Sequence, residues 1–268
     1  EIDNLMPSLK GDRATTNVSG IAKELEKIGD PWLKYYKYDT HLSHWQCKNF
    51  GLSKANGNIF WFVDSHCILP TSAVKMVEVY SKNYEQFNGS LHMPLTYHIL
   101  EPRQLMYKTV VDLPKGDYHY KFHTFNPANY LGYDVIEVPS MSTCGMMIHR
   151  KYMRKLGKWP KELGIYGGGE NFINFTMAVL GMKKWLLVGD SLCHHGDKRG
   201  YNWNLYDQQK NRAAATYMFR GRRLLNLWLS KVAKMGPGEK RKAERSILTN
   251  LVEHRKLIKE SQVCEIEE

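Results

Sequence analysis

Apolar and polar positions alternate along this chain in short blocks, and the clearest block is residues 57–70, GNIFWFVDSHCILP. The polar turn Asn56-Gly57-Asn58 gives way to the unbroken run Ile59-Phe60-Trp61-Phe62-Val63, which stops at Asp64-Ser65-His66. A run of β-branched and aromatic residues bounded by turn residues predicts a central strand buried on both faces. Looser alternation predicts further strands at residues 32–38, 90–99, 133–138, 142–149 and 184–188. Helical spacing predicts helices at residues 21–28, 44–52, 71–80 and 170–180, with Ser19 as the N-cap of the first and Gly181 ending the last. In the third of these, Val74, Met76 and Val77 are expected to face inward. Residues 101–132 carry Pro102, Pro114 and Pro127 and predict irregular or hairpin structure.

Beyond Tyr201 the pattern changes. A long basic helix is predicted over residues 207–234, stopped by Gly236-Pro237-Gly238, and a second charged helix over 239–260. Strands alternating with helices predict an α/β sandwich, a mostly parallel central sheet flanked by helices, with a helical carboxyl-terminal tail. The expected division is a catalytic domain over residues 1–203 and a basic helical extension over 204–268.

Composition refines this picture at three points. No apolar stretch approaches the roughly 20 residues that span a bilayer, and no secretory signal pattern opens the chain. The five cysteines (Cys47, Cys67, Cys144, Cys193 and Cys264) are odd in number and never paired as CxxC, which points to a reducing, cytoplasmic setting. The net charge of +11 is uneven, because residues 198–259 hold sixteen Lys and Arg against four Asp and Glu. Such a surplus favours a polyanionic partner, or else marks two amphipathic helices with solvated basic faces.

The chemistry gathers in three islands. In open α/β sheets, ligands bind beyond the carboxyl ends of strands, which is where Asp64 and His66 fall. A carboxylate and an imidazole one residue apart suit a borderline cation such as manganese or zinc, although Asp64 as a helix cap and His66 as a loop residue would also satisfy the pattern. The second island is Gly167-Gly168-Gly169-Glu170-Asn171, and the third is Cys193-His194-His195-Gly196-Asp197-Lys198-Arg199. A zinc site built on Cys193, His194 and His195 is disfavoured, because no second Cys/His cluster has suitable spacing.

FVDSHC and GGEN together resemble the metal and acceptor-side motifs of the polypeptide N-acetylgalactosaminyltransferases, a branch of the GT-A glycosyltransferases. Lys48-Asn49-Phe50-Gly51-Leu52 with Ala55-Asn56-Gly57 resembles the helix that precedes the metal motif in GT-A enzymes. Residues 143–150, TCGMMIHR, resemble their small-residue strand, and Leu156-Gly157-Lys158-Trp159-Pro160 a following turn. The resemblance covers roughly residues 44–203. It implies that Asp64, His66 and His195, with His194 as the fallback, hold Mn2+ or Mg2+ against the diphosphate of a nucleotide-sugar, most often UDP-linked. It further implies donor contacts from Lys48, Asn49, Gly145, Lys198, Arg199, Tyr201 and Trp203, acceptor contacts from Gly168 and Gly169, and catalytic roles for Glu170 and Asn171.

Two departures follow. Where inverting GT-A enzymes carry an acidic residue after this Glu, the chain has Asn171, so retention and inversion with Glu170 as base both stand. The hydrophobic first strand of such folds is not found before Ile21, which fits a trimmed or replaced amino end. The function expected is a metal-dependent glycosyltransferase acting on a hydroxyl of a large acceptor. The basic tail points to DNA carrying hydroxymethylated pyrimidines, as in some bacteriophages, whose host cytoplasm would then be the setting. Polypeptide Ser/Thr or a glycan is the alternative acceptor, with the tail used for oligomerisation or docking. A non-catalytic nucleic-acid-binding module is the rival reading.

Overall fold

The computed structural model describes residues 24, 27–36, 43–64, 67–97, 104–112, 114, 117–164, 167–194 and 204–263. Helix α1 spans His44–Lys54, followed by β1 (Ile59–Phe62), β2 (Cys67–Ile68), α2 (Ala73–Phe87), β3 (Gly89–His92) and β4 (Leu95–Thr96). A hairpin of β5 (Gln104–Asp112) and β6 (Asp117–Phe125) follows, then β7 (Val135–Glu137), β8 (Met146–His149) and α3 (Arg150–Leu156). Next come α4 (Gly169–Val179), β9 (Lys183–Leu187) and β10 (Leu192–His194). The chain closes with α5 (Leu205–Lys231), α6 (Pro237–Asn250) and α7 (Val252–Ser261).

The strands form two five-stranded sheets, ordered β1-β8-β3-β9-β7 and β2-β10-β4-β5-β6. The expectation of a mostly parallel sheet is corrected, since both sheets are mixed. Among the described residues, parallel pairing is confined to β3 with β9 and β4 with β10. Hydrophobic periodicity reports which faces are buried and carries no information on strand direction.

The strand at residues 59–62 packs against a core on each face, but only Phe60 is buried and its neighbours are half-buried, because among the described residues the strand lies at a sheet edge rather than at the centre as expected. Its side chains alternate between two cores. Phe60 and Phe62 face a large cluster that includes Trp45, Ile148, Phe172, Met218, Trp228 and Ile258. Ile59 and Trp61 face a smaller one around Met76, Tyr80, Leu91, Met147 and Leu192. In β8 the same alternation puts Met146 and Ile148 on the first face and Met147 on the second. A period of two on a strand sandwiched by helices requires apolar residues at every position, which is why the run reads as unbroken.

Helix α2 covers the smaller core with Met76, Tyr80 and Phe87. Val74 and Val77, expected to face inward, are 67% and 40% exposed. The burying stripe runs at 76, 80 and 87, so the period of the helix, rather than the hydrophobicity of each residue, decides the face. Residues 32–36, expected as a strand, are a turn and extended chain with Trp32 exposed. Most of the predicted helix at 21–28 lies outside the described residues. The basic tail is three helices rather than two. Gly221 in α5 adopts φ 70° and ψ −167°, a left-handed conformation that breaks the helical ladder and bends it. A second break falls at Leu251, between α6 and α7. These helices share the large core, and Asp117 of β6 ties α5 down through Arg212 at 3.0 Å and Trp228 at 3.2 Å. No described helix is long and apolar enough to cross a membrane.

The core between β3 and β9 buries ionisable groups. His92 accepts or donates at Nε2 to Ser90 Oγ over 2.9 Å and is 1% exposed. Burial, aided by the nearby Lys184 ammonium, pulls its pKa down to about 3. The unfolded chain then binds a proton that the folded chain refuses, so stability falls as pH drops from the ordinary 6.5 toward about 3. The slope is on the order of 1.4 kcal/mol per pH unit. Urea unfolding across that window is expected to show this loss in the wild type and a flatter profile in His92→Gln; identical profiles would refute the assignment.

Candidate active site

Four segments from distant parts of the chain meet where β1 ends. Helix α1 is capped by Ser43, whose Oγ accepts from the Gln46 amide at 3.4 Å. The helix is then fixed on the turn after α3. Gln46 donates to Pro160 O at 2.7 Å, and Asn49 both donates to Trp159 O at 2.8 Å and accepts from Trp159 N at 3.1 Å. Trp45 stacks on Trp159, whose ring meets Phe62 edge-on. With α1 held this way, Lys48 runs over the Phe62 ring and places Nζ 3.4 Å from Asp64 Oδ1.

The other oxygen of Asp64 meets the third island. Strand β10 pairs antiparallel with β2, with His194 opposite Cys67. The Cys67 amide donates to Asp64 O at 3.1 Å, which ties the start of β2 to Asp64. His194 Nε2 thereby comes within 3.5 Å of Asp64 Oδ2. Gly145 approaches from the remaining side, its amide donating to Phe62 O at 2.7 Å. Beside it, Thr143 Oγ1 donates to Glu170 Oε1 at 3.3 Å. Glu170 opens α4, where the helix amides favour an anion.

The charges interact. Burial pushes Glu170 above the usual carboxylate range, and the negative charge of Asp64 adds to this while Lys48 and the Thr143 hydrogen bond oppose it. Burial pulls His194 down, but its hydrogen bond to Asp64 and the negative partners around it outweigh that and leave it raised. Cys67 and Cys144 lie with sulfurs 3.3 Å apart. Either sulfur can donate in this contact, and burial pushes the Cys144 thiol up.

The glycine loop has a packing role in view. A Cβ on Gly168 would lie 2.6 Å from the Asn211 backbone, and one on Gly169 2.3 Å from the Trp45 ring. Asn211 of α5 in turn donates to Gly164 O and Gly167 O and accepts from Gly164 N. Both glycines and Asn171 are buried. The loop therefore positions Glu170 by letting α5 and Trp45 close against it.

Of the residues picked from the sequence, the structure brings together Lys48, Asp64, Gly145 and Glu170, with His194 beside Asp64. Asn49 lies one turn away, bonded to the Trp159 backbone. His66, His195, Lys198, Arg199, Tyr201 and Trp203 lie outside the described residues. Sequence reasoning missed Thr143 as the partner of Glu170, although it lies in the quoted TCGMMIHR stretch. It also set aside sulfur ligands near His194. Cys193 is on the opposite face of β10 by strand alternation, yet Cys67 and Cys144 reach His194 from other segments.

Asp64 and His194 present one carboxylate oxygen and one imidazole nitrogen 3.5 Å apart, donor types that borderline divalent cations accept. The Lys48 ammonium occupies the other oxygen and would have to leave it for a cation.

The architecture defined by these sheets and helices is a GT-A-like α/β fold. It is similar to the crystal structure of GalNAc-T7 with UDP, GalNAc and Mn2+, at a TM-score of 0.66 and 14% identity over 92% of this chain. The chain spans about half that length, covering 46% of the GalNAc-T7 chain. No protein-family model and no curated protein sequence matches the chain.

Glu170 gives the site a stability cost with a defined sign. Its folded pKa is raised, so the protonated acid suits the folded state, and stability falls as pH rises through that pKa. Glu170→Gln, neutral at every pH, is expected to melt at a higher temperature than wild type at neutral pH. The difference should shrink as pH drops below the ordinary carboxylate range. A lower melting temperature at neutral pH would contradict this placement of the carboxyl.

Proposed function

We propose that the protein is a metal-dependent glycosyltransferase that moves a sugar from a nucleotide-diphosphate donor, UDP-linked in the first instance, to a hydroxyl of a large acceptor. The observation that carries this reading is the convergence of Asp64, His194, Lys48 and Glu170 at the end of β1, in a fold like that of a protein crystallised with UDP, GalNAc and Mn2+. Asp64 and His194, joined by His66 and His195 if the family pattern carries over, would hold Mn2+ or Mg2+. When bound, such a cation neutralises charge on the departing diphosphate.

The side chains supply the rest. Lys48, 3.4 Å from Asp64 Oδ1, would turn to a donor phosphate once the carboxylate has another positive partner. Glu170, held by Thr143, accepts the proton of the attacking hydroxyl at a carboxylate oxygen whose raised pKa makes it a better base than an ordinary Glu. In this reading Lys198, Arg199, Tyr201 and Trp203 close over the donor, while Asn49 and Gly145 shape the floor beneath it. Gly168, Gly169 and Asn171 border the acceptor side.

The basic helices 204–268 suggest the acceptor. A cleft at the Gly221 bend is lined by Tyr217, Arg220, Arg222, Arg223, Leu248 and Arg255. Guanidinium groups grouped with an aromatic ring suit a phosphate-bearing polymer, and hydroxymethylated DNA offers both the phosphates and the hydroxyl. The free thiols of Cys47, Cys67, Cys144 and Cys193 favour a reducing compartment such as the cytoplasm.

The test is transfer from a panel of UDP-sugars, with Mn2+ or with chelator, to hydroxymethylated DNA, a Ser/Thr peptide or a glycan. Mn2+-dependent release of UDP with one acceptor is expected. Glu170→Gln should lower kcat by roughly 10²–10⁴-fold while leaving the KM for the donor near wild type. Binding of DNA without turnover of any donor would instead mark a non-catalytic nucleic-acid-binding module.

A further inference from the structure

We infer that Cys67, Cys144 and His194 form a binding site for a thiophilic divalent cation, zinc in the first instance, set beside the carboxylate of Asp64. Their ligand atoms, two Sγ and one imidazole nitrogen, all lie within 4.8 Å of one another. Tetrahedral zinc, with bonds of about 2.3 Å to sulfur and about 2.0 Å to nitrogen, sets two sulfurs roughly 3.8 Å apart. The Cys67 and Cys144 sulfurs are 3.3 Å apart, so closure on a metal needs a side-chain shift of about half an ångström. Asp64 Oδ2, 3.5 Å from His194 Nε2, stands near the roughly 3.4 Å that a nitrogen and a carboxylate oxygen span on zinc, and so borders the fourth position.

The backbone fixes all three ligands before any metal arrives. Cys67 and His194 are register partners on β2 and β10. Cys144 precedes Gly145, whose amide is bonded to Phe62 O, and its own amide donates to Ser142 Oγ at 3.0 Å. Two sulfur donors and an imidazole select a soft or borderline metal over manganese or magnesium, which take oxygen-rich sets. Binding forms two metal–sulfur bonds and one metal–nitrogen bond, releases the two thiol protons and any proton on the His194 imidazole to solvent, and changes no oxidation state.

The consequence concerns the neighbouring site and rests on the proposed function. His194 and Asp64 Oδ2 belong to both donor sets, so zinc held by the sulfurs occupies them and antagonises manganese-dependent donor binding. Metal binding by the sulfurs itself does not depend on that reading, and it is measured without any nucleotide.

Cobalt(II) is titrated into the reduced full chain and followed by absorbance. The expected result is a sulfur-to-cobalt charge-transfer band in the near ultraviolet with strong visible d–d bands, all displaced by zinc. Cys67→Ser and Cys144→Ser should each roughly halve the charge-transfer intensity and weaken zinc binding more than about tenfold, and the double variant should abolish it. Cys47→Ser, an exposed cysteine outside the cluster, should match wild type. In the wild type, calorimetry in buffers of different ionisation enthalpy, at a pH where the His194 imidazole is neutral, should give about two protons released per zinc, a readout that needs no variant. Absence of the charge-transfer band, its persistence in the double variant, or a Cys67–Cys144 disulfide that survives reduction would overturn the inference.

Discussion

The carboxylate of Asp64 is the constraint around which the site is arranged. It stands at the end of β1, one third exposed, with an ammonium on one oxygen and an imidazole on the other. A charge in such a place must be compensated, because the interior screens it far less than water does. Each compensating group is delivered by its own scaffold. Lys48 depends on the fixing of α1 by Gln46 and Asn49 on the backbone of residues 159–160. His194 depends on the short pairing of β10 with β2. Asn49 therefore matters to the site without touching it, since its loss would leave both buried polar groups of the Trp159 peptide unpaired, at about 1–3 kcal/mol each.

The helical tail belongs to the same physical unit as the sheet. Asn211 closes the glycine loop, and the large core runs unbroken from Trp45 and Ile148 to Trp228 and Ile258. The orientation of Glu170 at the start of α4 is thereby linked to α5. The proposed acceptor cleft lies farther along the same helix, at the Gly221 bend.

Much of this was legible in residue order. The apolar run at 59–63 announced a strand with a core against each face, and Asp64 and Glu170 stood out because one ends a strand and the other opens a helix. Local patterns encode such features. Strand direction did not emerge, because alternation is the same in either direction, and β1 turned out to be at an edge. The inward face of α2 was misjudged at Val74 and Val77 because hydrophobic character was weighed above period. Cys67, Cys144 and His194 carry no spacing signal at all, being brought together by a strand register and a turn 77 residues apart in sequence. Asn49 was read as a donor contact, while the structure gives its side chain two backbone bonds that no linear pattern could announce.

The central claim is that Asp64 anchors a cation on which donor binding depends. Its most direct test is calorimetric titration of UDP into the full chain, with and without Mn2+, beside Asp64→Ala. The account predicts binding that requires Mn2+ and is weakened at least about 100-fold, or some 2.7 kcal/mol, in the variant. UDP binding that is indifferent to Mn2+, or unchanged by loss of the carboxylate, would contradict it.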